Sequence, residues 1–524
     1  GRPDAVTYAP PAPPISLEEQ TKFNAFHPLT TQVYSCVLPG EVIRKCVDAT
    51  VAGIINPGEQ LGIRHLIVDE YQDLNPADLE FVDRIAQAGV MTFVAGDDDQ
   101  SIYSFRHASP AGIQDFPTRY AGAALTELQH CFRCTPAVLR SATRVVLQNA
   151  APGRITKGAT SLYEDSDPPN PGDCFRWRFG TQYEEADAIA ESCAALIRAG
   201  VAPHEILVLL STGRPKLWQP IRDALEQAGV PFEPPKEEGF VDSDTGRLVL
   251  ATLRIVCSKE GGLPEDLVAH RALLGLKKGV GPATCNRVRL LVGSTPNLNL
   301  QALFYGDVPD GLLTGKVSTA VQSTRATCRQ LLTWQESDTL GSRRQQISDV
   351  LTSTIDEDAA APWVAFSDPL PAGMLLSELR DYLWTDNSQQ RDELLSAVHD
   401  RLGVSRVDGT EELARVRVMT MHGAKGLSAT TVFIPGLEEG LLPNAYQAPF
   451  AAAVSEAARL LYVSMTRARA ACFLSCARGR LINGQFQFQQ PSRFAAHTGG
   501  SFVSRDGGLS ASEAVDVMGF VQRL

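Results

Sequence analysis

Two short apolar runs that each break off into carboxylates constrain this chain more than any other feature. Leu66-Ile67-Val68 ends in Asp69-Glu70, and the run from Val90 to Ala95 ends in Gly96-Asp97-Asp98-Asp99-Gln100. Between them, Leu79, Val82, Ile85 and Ala86 recur at helical spacing within residues 77–88. Apolar runs alternating with amphipathic helices are the mark of a parallel sheet covered on both faces. The fold class is therefore α/β, with Leu66-Ile67-Val68 as a buried strand. Both sets of carboxylates sit at strand ends, where open α/β sheets bind ligands.

A second α/β unit follows. Thr135 reads as a helix N-cap with Pro136 at the first helical position, opening a helix through Val138, Val145 and Leu147. Strands are expected at Ile206–Leu210, Val416–Thr420, Val432–Ile434 and Cys472–Leu474. The long interval from about Asp242 to Asp408 is richer in helical periodicity and loop residues, and reads as an inserted helical domain. After Gly499 the chain is Gly/Ser-rich and then weakly helical, a tail expected to be mobile. The expected division is 1–134, 135–241, 242–408, 409–498 and a tail at 499–524, consistent with a 524-residue chain that exceeds the size of a single core.

Composition narrows the class without naming a function. The chain is 44% apolar and 21% charged, ordinary globular values, and no apolar stretch approaches the roughly 18 residues that suggest a membrane span. Gly1-Arg2-Pro3-Asp4 has no basic start or apolar core, and the prolines from Pro10 to Pro14 read as extended linker rather than a secretory leader. Eleven scattered cysteines fit reduced thiols in an intracellular enzyme, cytoplasmic and nucleoid-associated if the chain is bacterial. One CxxC, Cys131 to Cys134, lacks the second pair that a structural metal site of this kind requires. The net charge of −12 argues against a protein coated in nucleic acid, yet DNA motors concentrate positive charge in a channel, so global charge leaves that partner open.

An Asp-Glu pair at a strand end suits nucleotide hydrolysis, since one carboxylate can hold magnesium while its neighbour polarises the attacking water. A lone pair of this kind is usually a solvated acidic loop; here it is not alone. Asp69-Glu70-Tyr71-Gln72-Asp73-Leu74-Asn75 and Gly96-Asp97-Asp98-Asp99-Gln100-Ser101-Ile102-Tyr103-Ser104-Phe105-Arg106 closely resemble motifs II and III of UvrD/Rep/PcrA-type superfamily 1A DNA helicases. Thr420 to Leu427 is similar to motif V, Gly436 to Pro443 to the turn after it, Leu461 to Ala468 to motif VI, and Pro491-Ser492-Arg493-Phe494 to the end of the motor core. The resemblance spans about residues 61 to 495. It implies two RecA-like, P-loop NTPase-type motor domains, the first incomplete, with an inserted and mainly helical 2B-like domain.

The resemblance also implies roles. Asp69 holds magnesium, Glu70 polarises water, and Gln100 senses the γ-phosphate of ATP. Arg133 and Arg467 reach that phosphate across a cleft, work that guanidinium forks suit. Phe132 stacks on adenine, and Gly426 lies at the nucleotide. Single-stranded DNA runs over Phe105, Arg106, Tyr103, His422 and Lys425, with Phe105 in place of the usual tryptophan. Lys277-Lys278-Gly279-Val280-Gly281-Pro282 is similar to a helix-hairpin-helix turn, in which Gly279 and Gly281 let backbone amides approach a duplex phosphate; plain helix punctuation is the competing reading.

The resemblance breaks at one place above all: the 524 residues contain no Gly-x-x-x-x-Gly-Lys-Ser/Thr loop. Gly315-Lys316 is followed by Val317 and lies after motif III. The expectation is a truncated first motor domain, inactive in ATP hydrolysis by itself, with another chain that supplies the missing segment as one way to complete it. Cys131 and Cys134 replace the Asn and Ser flanking motif IV's aromatic-Arg pair, His107 replaces a glycine, Ser428 a ribose-binding glutamate, and Ala458 one of two arginines beside Arg459. The leading expectation is an ATP-dependent 3′ to 5′ helicase acting on single-stranded DNA and duplex junctions. The alternatives are a non-hydrolysing DNA-binding scaffold and the motor part of a recombination helicase-nuclease.

Overall fold

The computed structural model describes residues 16–60, 62–212, 215–235, 240–259, 262–309, 311–385, 388–403, 415–445, 447–482 and 485–524. The Pro10–Pro14 stretch and the expected boundary at 408/409 lie outside them. Two compact units emerge, one of Pro39–Glu237 with Gly409–Leu524, the other of Pro14–Leu38 with Glu238–Asp408.

In the first unit, β1 (His65–Val68) and β2 (Met91–Val94) pair in parallel, with Ile67 opposite Phe93. The helix Pro76–Gln87 joins them, started by a capping box in which Asn75 Oδ1 accepts from the Ala77 and Asp78 amides and Asp78 accepts from the Asn75 amide. Alternate strand residues face opposite ways. Leu66 and Val68 turn onto Tyr71, Leu79 and Val82, whereas Ile67 (74% exposed) and Phe93 (63%) face outward with Met91. The strand predicted as buried is thus covered on one face only, because no second layer among the described residues packs over the other.

A short parallel pair, β3 (His130–Cys131) with β4 (Thr160–Ser161), stands apart from the other strands. The larger sheet is assembled from distant segments: β5 (Asp173–Thr181), β6 (Ile206–Leu210), β7 (Phe232–Glu233), β8 (Val416–Thr420), β9 (Ala429–Ile434), β10 (Ala468–Ile482), β11 (Gln485–Phe488) and β12 (Val503–Ser504). Its order is β12-β5-β10-β9-β6-β8-β7, all parallel, with β11 antiparallel to β10. Every residue of β6 and β9 is buried. Leu207, Leu209, Val432 and Ile434 face the helices Pro136–Gln148 and Ala451–Met465, while Ile206, Val208, Leu210 and Phe433 face Gln182–Arg198 and Pro215–Gln227. Strands buried on both sides leave unbroken apolar runs, which is why β6 was legible to the residue.

Two expectations are corrected here. The segment after Gly499 is integrated into the fold: β12 extends the sheet, and the helix Ala511–Gln522 buries Ala514 and Val517 against the core that also takes Leu509. Its apolar face is narrow, so its periodicity is faint in sequence. Thr135 does occupy the N-cap position, but its hydroxyl donates to the Ala470 carbonyl at 3.1 Å instead of capping the helix.

Buried charge joins the pieces. The Arg480 guanidinium lies between Glu185 and Glu438, at 2.5 Å from Glu185 Oε2 and 2.7 Å from Glu438 Oε1, tying the helix Gln182–Arg198 and the turn after β9 to β10. Ser475 Oγ donates to Glu185 Oε1, and the Ala477 amide shares Glu438 Oε1 with Arg480. The acidic loop after β2 is held similarly. Lys157 Nζ pairs with Asp97, Asp98 and Asp99, and Arg154 grips Asp99 in a two-pronged contact at 2.8 and 2.7 Å. Burial pushes the Asp98 carboxyl up, but Lys157, Gln114 and the Ile155 amide more than offset this and hold it below its ordinary range.

The second unit is helical, built around Leu248, Leu253, Phe304, Trp334, Leu351 and Trp363. The helix Leu17–Tyr34 belongs to it, rather than to the first α/β segment as the sequence division had it. Val33 and Tyr34 enter its core, and Arg289 donates to the Phe26 carbonyl at 3.0 Å while lying 3.9 Å from that ring's centre. Gly293 permits the approach, since a Cβ there would fall 2.3 Å from Leu29 Cδ1.

Removing one partner of a buried ion pair costs about 3–5 kcal/mol, so Arg480→Met is expected to lower unfolding stability by about that amount in denaturant titrations. Lys157→Met is expected to destabilise too, with a pH signature. A depressed carboxyl stabilises the fold fully above its unfolded value of about 3.9 and loses that contribution as pH falls through the folded value. The gap between wild type and Lys157→Met, measured by urea unfolding at a series of pH values, is therefore expected to be widest above about pH 5 and to shrink below about pH 4.

Candidate nucleotide site and nucleic-acid surface

β1 delivers Asp69 and Glu70 to the edge of the sheet, and the backbone then turns sharply. Glu70 adopts φ 51°, a left-handed conformation uncommon for a residue with a Cβ. A buried amide fixes it: Gln72 Nε2 donates to Glu70 Oε2 at 2.5 Å, and Gln72 Oε1 accepts from the Asp97 amide at 3.0 Å. One side chain thereby couples the two acidic loops. Gly96 is required beside it, because a Cβ there would sit 2.4 Å from Gln72 Oε1. Asp69 is exposed, and its Oδ1 accepts from the Glu70 amide at 2.8 Å.

Lys425 arrives from the turn between β8 and β9, where Gly426 takes φ 86°. Its ammonium lies 2.5 Å from Asp73 Oδ2, 3.2 Å from Glu70 Oε2 and 3.1 Å from the Gln100 carbonyl. Lys425, expected near the interface of nucleotide and DNA, faces these carboxylates. Burial raises the Asp73 carboxyl even with Lys425 against it. The Gln100 side chain is turned onto its own loop, donating to Asp97 Oδ2 at 2.9 Å.

Arg467 is 2% exposed, at the end of the helix Ala451–Met465. Its Nε donates to the Val463 carbonyl and its Nη1 to the Leu427 carbonyl, but its Nη2 is buried without a partner. Burial, and then the nearby Arg133 charge, push the guanidinium down to about 10, while Glu70 acts on it in the opposite sense. Glu70, Arg133, Lys425 and Arg467 thus share one electrostatic neighbourhood. Such an arrangement, cations in excess and one guanidinium nitrogen unsatisfied, suits an oxyanion-rich ligand. Phe132, beside Arg133, is 73% exposed and leaves an aromatic face open.

A second cluster adjoins it. Phe105, 63% exposed, meets Tyr103 and His422 edge-on at 5.8 Å each, and Arg106 lies 5.5 Å from the Tyr103 ring centre. Lys425 also approaches Tyr103, at 5.2 Å, and so touches both clusters. Burial lowers His422, which favours its neutral ring. Gly279 and Gly281 belong to the helical unit, in the turn between Leu267–Gly275 and Pro282–Ser294; a Cβ added at either glycine would meet no atom within 4 Å, so the turn is open.

Asp97, Asp98 and Asp99 bring carboxylate oxygens within 4.8 Å of one another, a spacing that a cation could bridge. Lys157 and Arg154 already occupy them, whereas Asp69 is exposed. Several residues that build the site escaped the sequence reading. Gln72 and Asp73 lie inside the Asp69–Asn75 motif and could have been singled out there. Arg154, Lys157 and Glu456, which accepts from the Ser104 amide at 3.0 Å, offer no local signal, because their partners lie far away in the chain.

Comparison with known proteins agrees with this geometry. The family described as UvrD/REP helicase N-terminal domain matches residues 58–121, and that described as UvrD-like helicase C-terminal domain matches residues 374–479. The chain is 28% identical over 456 residues to an ATP-dependent DNA helicase PcrA of Leuconostoc citreum, covering 83% of this chain and 57% of the relative. It is 25% identical over 450 residues to PcrA of Bacillus subtilis (83% and 58%), and 24% identical over 445 residues to DNA helicase II of Haemophilus influenzae (83% and 58%). The chain therefore spans somewhat over half the length of these relatives. With both family matches in chain order and relatives matched over most of the chain, the comparisons support assigning it to the UvrD/PcrA-type superfamily 1 helicases.

Proposed function

We propose that this chain is the motor portion of an ATP-driven DNA helicase that moves 3′ to 5′ on single-stranded DNA and opens duplex junctions. The observation that carries the reading is Arg467: a buried guanidinium with an unpartnered Nη2, beside Arg133 and within the field of Glu70. In this reading the two sheets belong to RecA-like motor lobes, and the helical unit is the 2B-like insertion. Arg133 and Arg467 bind the γ-phosphate and stabilise its developing charge. Glu70 orients and polarises the attacking water, held in position by Gln72. Gln100 couples the phosphate to the DNA-facing loop that carries Tyr103, Phe105 and Arg106. Asp69 would hold magnesium, which neutralises phosphate charge when bound. Phe132 stacks on adenine, with Gly426 at the same nucleotide. Lys425, bridging Glu70, Asp73 and the Gln100 carbonyl, links the nucleotide side to the aromatic side.

Phe105 and His422 offer ring faces to bases, Arg106 reaches phosphates, and the turn at Gly279 and Gly281 contacts duplex DNA. The 524 residues contain no phosphate-binding loop of the Gly-x-x-x-x-Gly-Lys-Ser/Thr type, so turnover depends on such a loop supplied from outside them. That same observation favours a second reading, a scaffold that binds DNA without hydrolysing ATP.

Assayed by itself, this polypeptide is expected to release no phosphate from ATP with or without single-stranded DNA; turnover that disappears in Glu70→Gln would refute that expectation. Binding to a fluorescent oligo-dT, followed by anisotropy, is expected to weaken linearly in log–log plots against salt, as phosphate contacts demand. Phe105→Ala is expected to weaken it by roughly 5- to 150-fold, the loss from about 1–3 kcal/mol of stacking per base. Salt-independent binding, or an unchanged Phe105→Ala variant, removes the DNA path from the proposal.

A further inference from the structure

The Phe132-Arg133 step is bracketed by two cysteines that the proposed motor chemistry does not use. Cys131 ends the short strand β3 and is partly exposed; Cys134 is buried just before the helix Pro136–Gln148. Each acts on the other's titration, Cys134 lowering the Cys131 thiol and Cys131 raising the Cys134 thiol. The Cys134 amide donates to Cys131 Sγ at 3.4 Å, and Cys134 Sγ donates to the Thr466 carbonyl at 3.3 Å. Arg133 adds positive charge beside Cys131. No His, Asp or Glu among the described residues joins the two sulfurs in a metal-binding group. The pair Cys174 and Cys472, opposite each other on β5 and β10, makes a useful contrast, since both are wholly enclosed and out of reach of solutes.

We propose that Cys131 and Cys134 are a reversible dithiol–disulfide site, oxidised by peroxide and restored by small dithiols, with Cys131 as the attacking sulfur and Cys134 as the resolving one. An exposed sulfur in a positive environment with a buried partner three residues on is the arrangement that makes a thiol reactive and its oxidation reversible. The Cys131 thiolate attacks one oxygen of hydrogen peroxide, the O–O bond breaks, and hydroxide leaves and takes up a proton to become water. Cys134 then loses its proton and attacks the Cys131 sulfenic sulfur; the S–S bond forms, the S–O bond breaks, and the departing hydroxide takes a proton as a second water. Two thiols lose two electrons in all and one peroxide becomes two waters. A dithiol reverses this by two successive exchanges. The new bond replaces the Cys134 contact with Thr466, next to Arg467, and closes a ring around Phe132 and Arg133. The chemistry does not depend on the motor reading, so either can fail alone.

The test is made on the full chain. After brief treatment with hydrogen peroxide, denaturation, alkylation of free thiols at acidic pH and tryptic digestion, cleavage after Arg133 separates the two cysteines. Mass spectrometry is expected to find the peptide Tyr120–Arg133 joined to Cys134–Arg140, and dithiothreitol is expected to part them. Alkylation of Cys131 in the reduced native chain is expected to rise with an inflection near pH 5, because the Cys134 thiol and the amides of Cys134 and Arg133 hold the Cys131 thiol down to about 5. In Cys134→Ser, dimedone is expected to trap a sulfenic acid at Cys131. The proposal is overturned if peroxide leaves both thiols free while other cysteines oxidise, or carries Cys131 to sulfinic acid with Cys134 untouched. It is overturned equally if Cys131 alkylates with the inflection of an ordinary thiol, above about pH 8.

Discussion

Carboxylates at strand ends can stay ionised in a half-buried cleft only if cations from elsewhere in the chain meet them, and that compensation organises the first unit. Lys157 and Arg154 close on Asp97, Asp98 and Asp99, and Lys425 closes on Glu70 and Asp73. Each cation arrives from a segment far from its partner in sequence, so the ion pairs also decide which segments meet. The Arg480 contacts with Glu185 and Glu438 do the same inside the large sheet. Taking charges out of water is costly, and the structure keeps nearly all of them in multiple hydrogen bonds.

Several buried charged side chains keep one atom without a hydrogen-bond partner, and among them the position of Arg467 is informative. Its Nε and Nη1 are satisfied by carbonyls, its Nη2 is not, and Arg133 stands nearby. Two guanidinium groups near each other are unfavourable unless an anion joins them, and this is the electrostatic ground on which the proposed phosphate role rests. Gln72 carries geometry from one acidic loop to the other, and Lys425 from the carboxylates to the Tyr103 and Phe105 rings. The acidic loops and the exposed aromatic cluster are therefore in physical contact through a few named side chains.

How much could be read in advance depended on the range of the interactions involved. β6 was legible because its apolar run answers to burial on two faces, and the helix Pro76–Gln87 because Leu79, Val82 and Ile85 recur at helical spacing and are buried. Ile67 misled because an apolar run cannot say whether a second layer covers it. The helix Leu17–Tyr34 was assigned to the wrong unit because its attachment rests on Arg289 and Gly293, more than 250 residues away. Among the site residues, Glu70 and Arg467 could be named from their motifs, whereas the turning of Lys425 toward Glu70, and of the Gln100 side chain toward Asp97, could not.

By itself the sequence determined the α/β class, the family resemblance, the identities of the acidic, amide and guanidinium groups, and the cysteines that bracket Phe132 and Arg133, since these rest on residue types and short spacings. Only the tertiary structure decided which cation pairs with which carboxylate, which guanidinium nitrogen is left unsatisfied, and that the Cys134 sulfur meets the Thr466 carbonyl. Those outcomes depend on distances of a few ångströms between segments hundreds of residues apart, and electrostatic and hydrogen-bond energies fall away too steeply with distance for spacing along a chain to specify them.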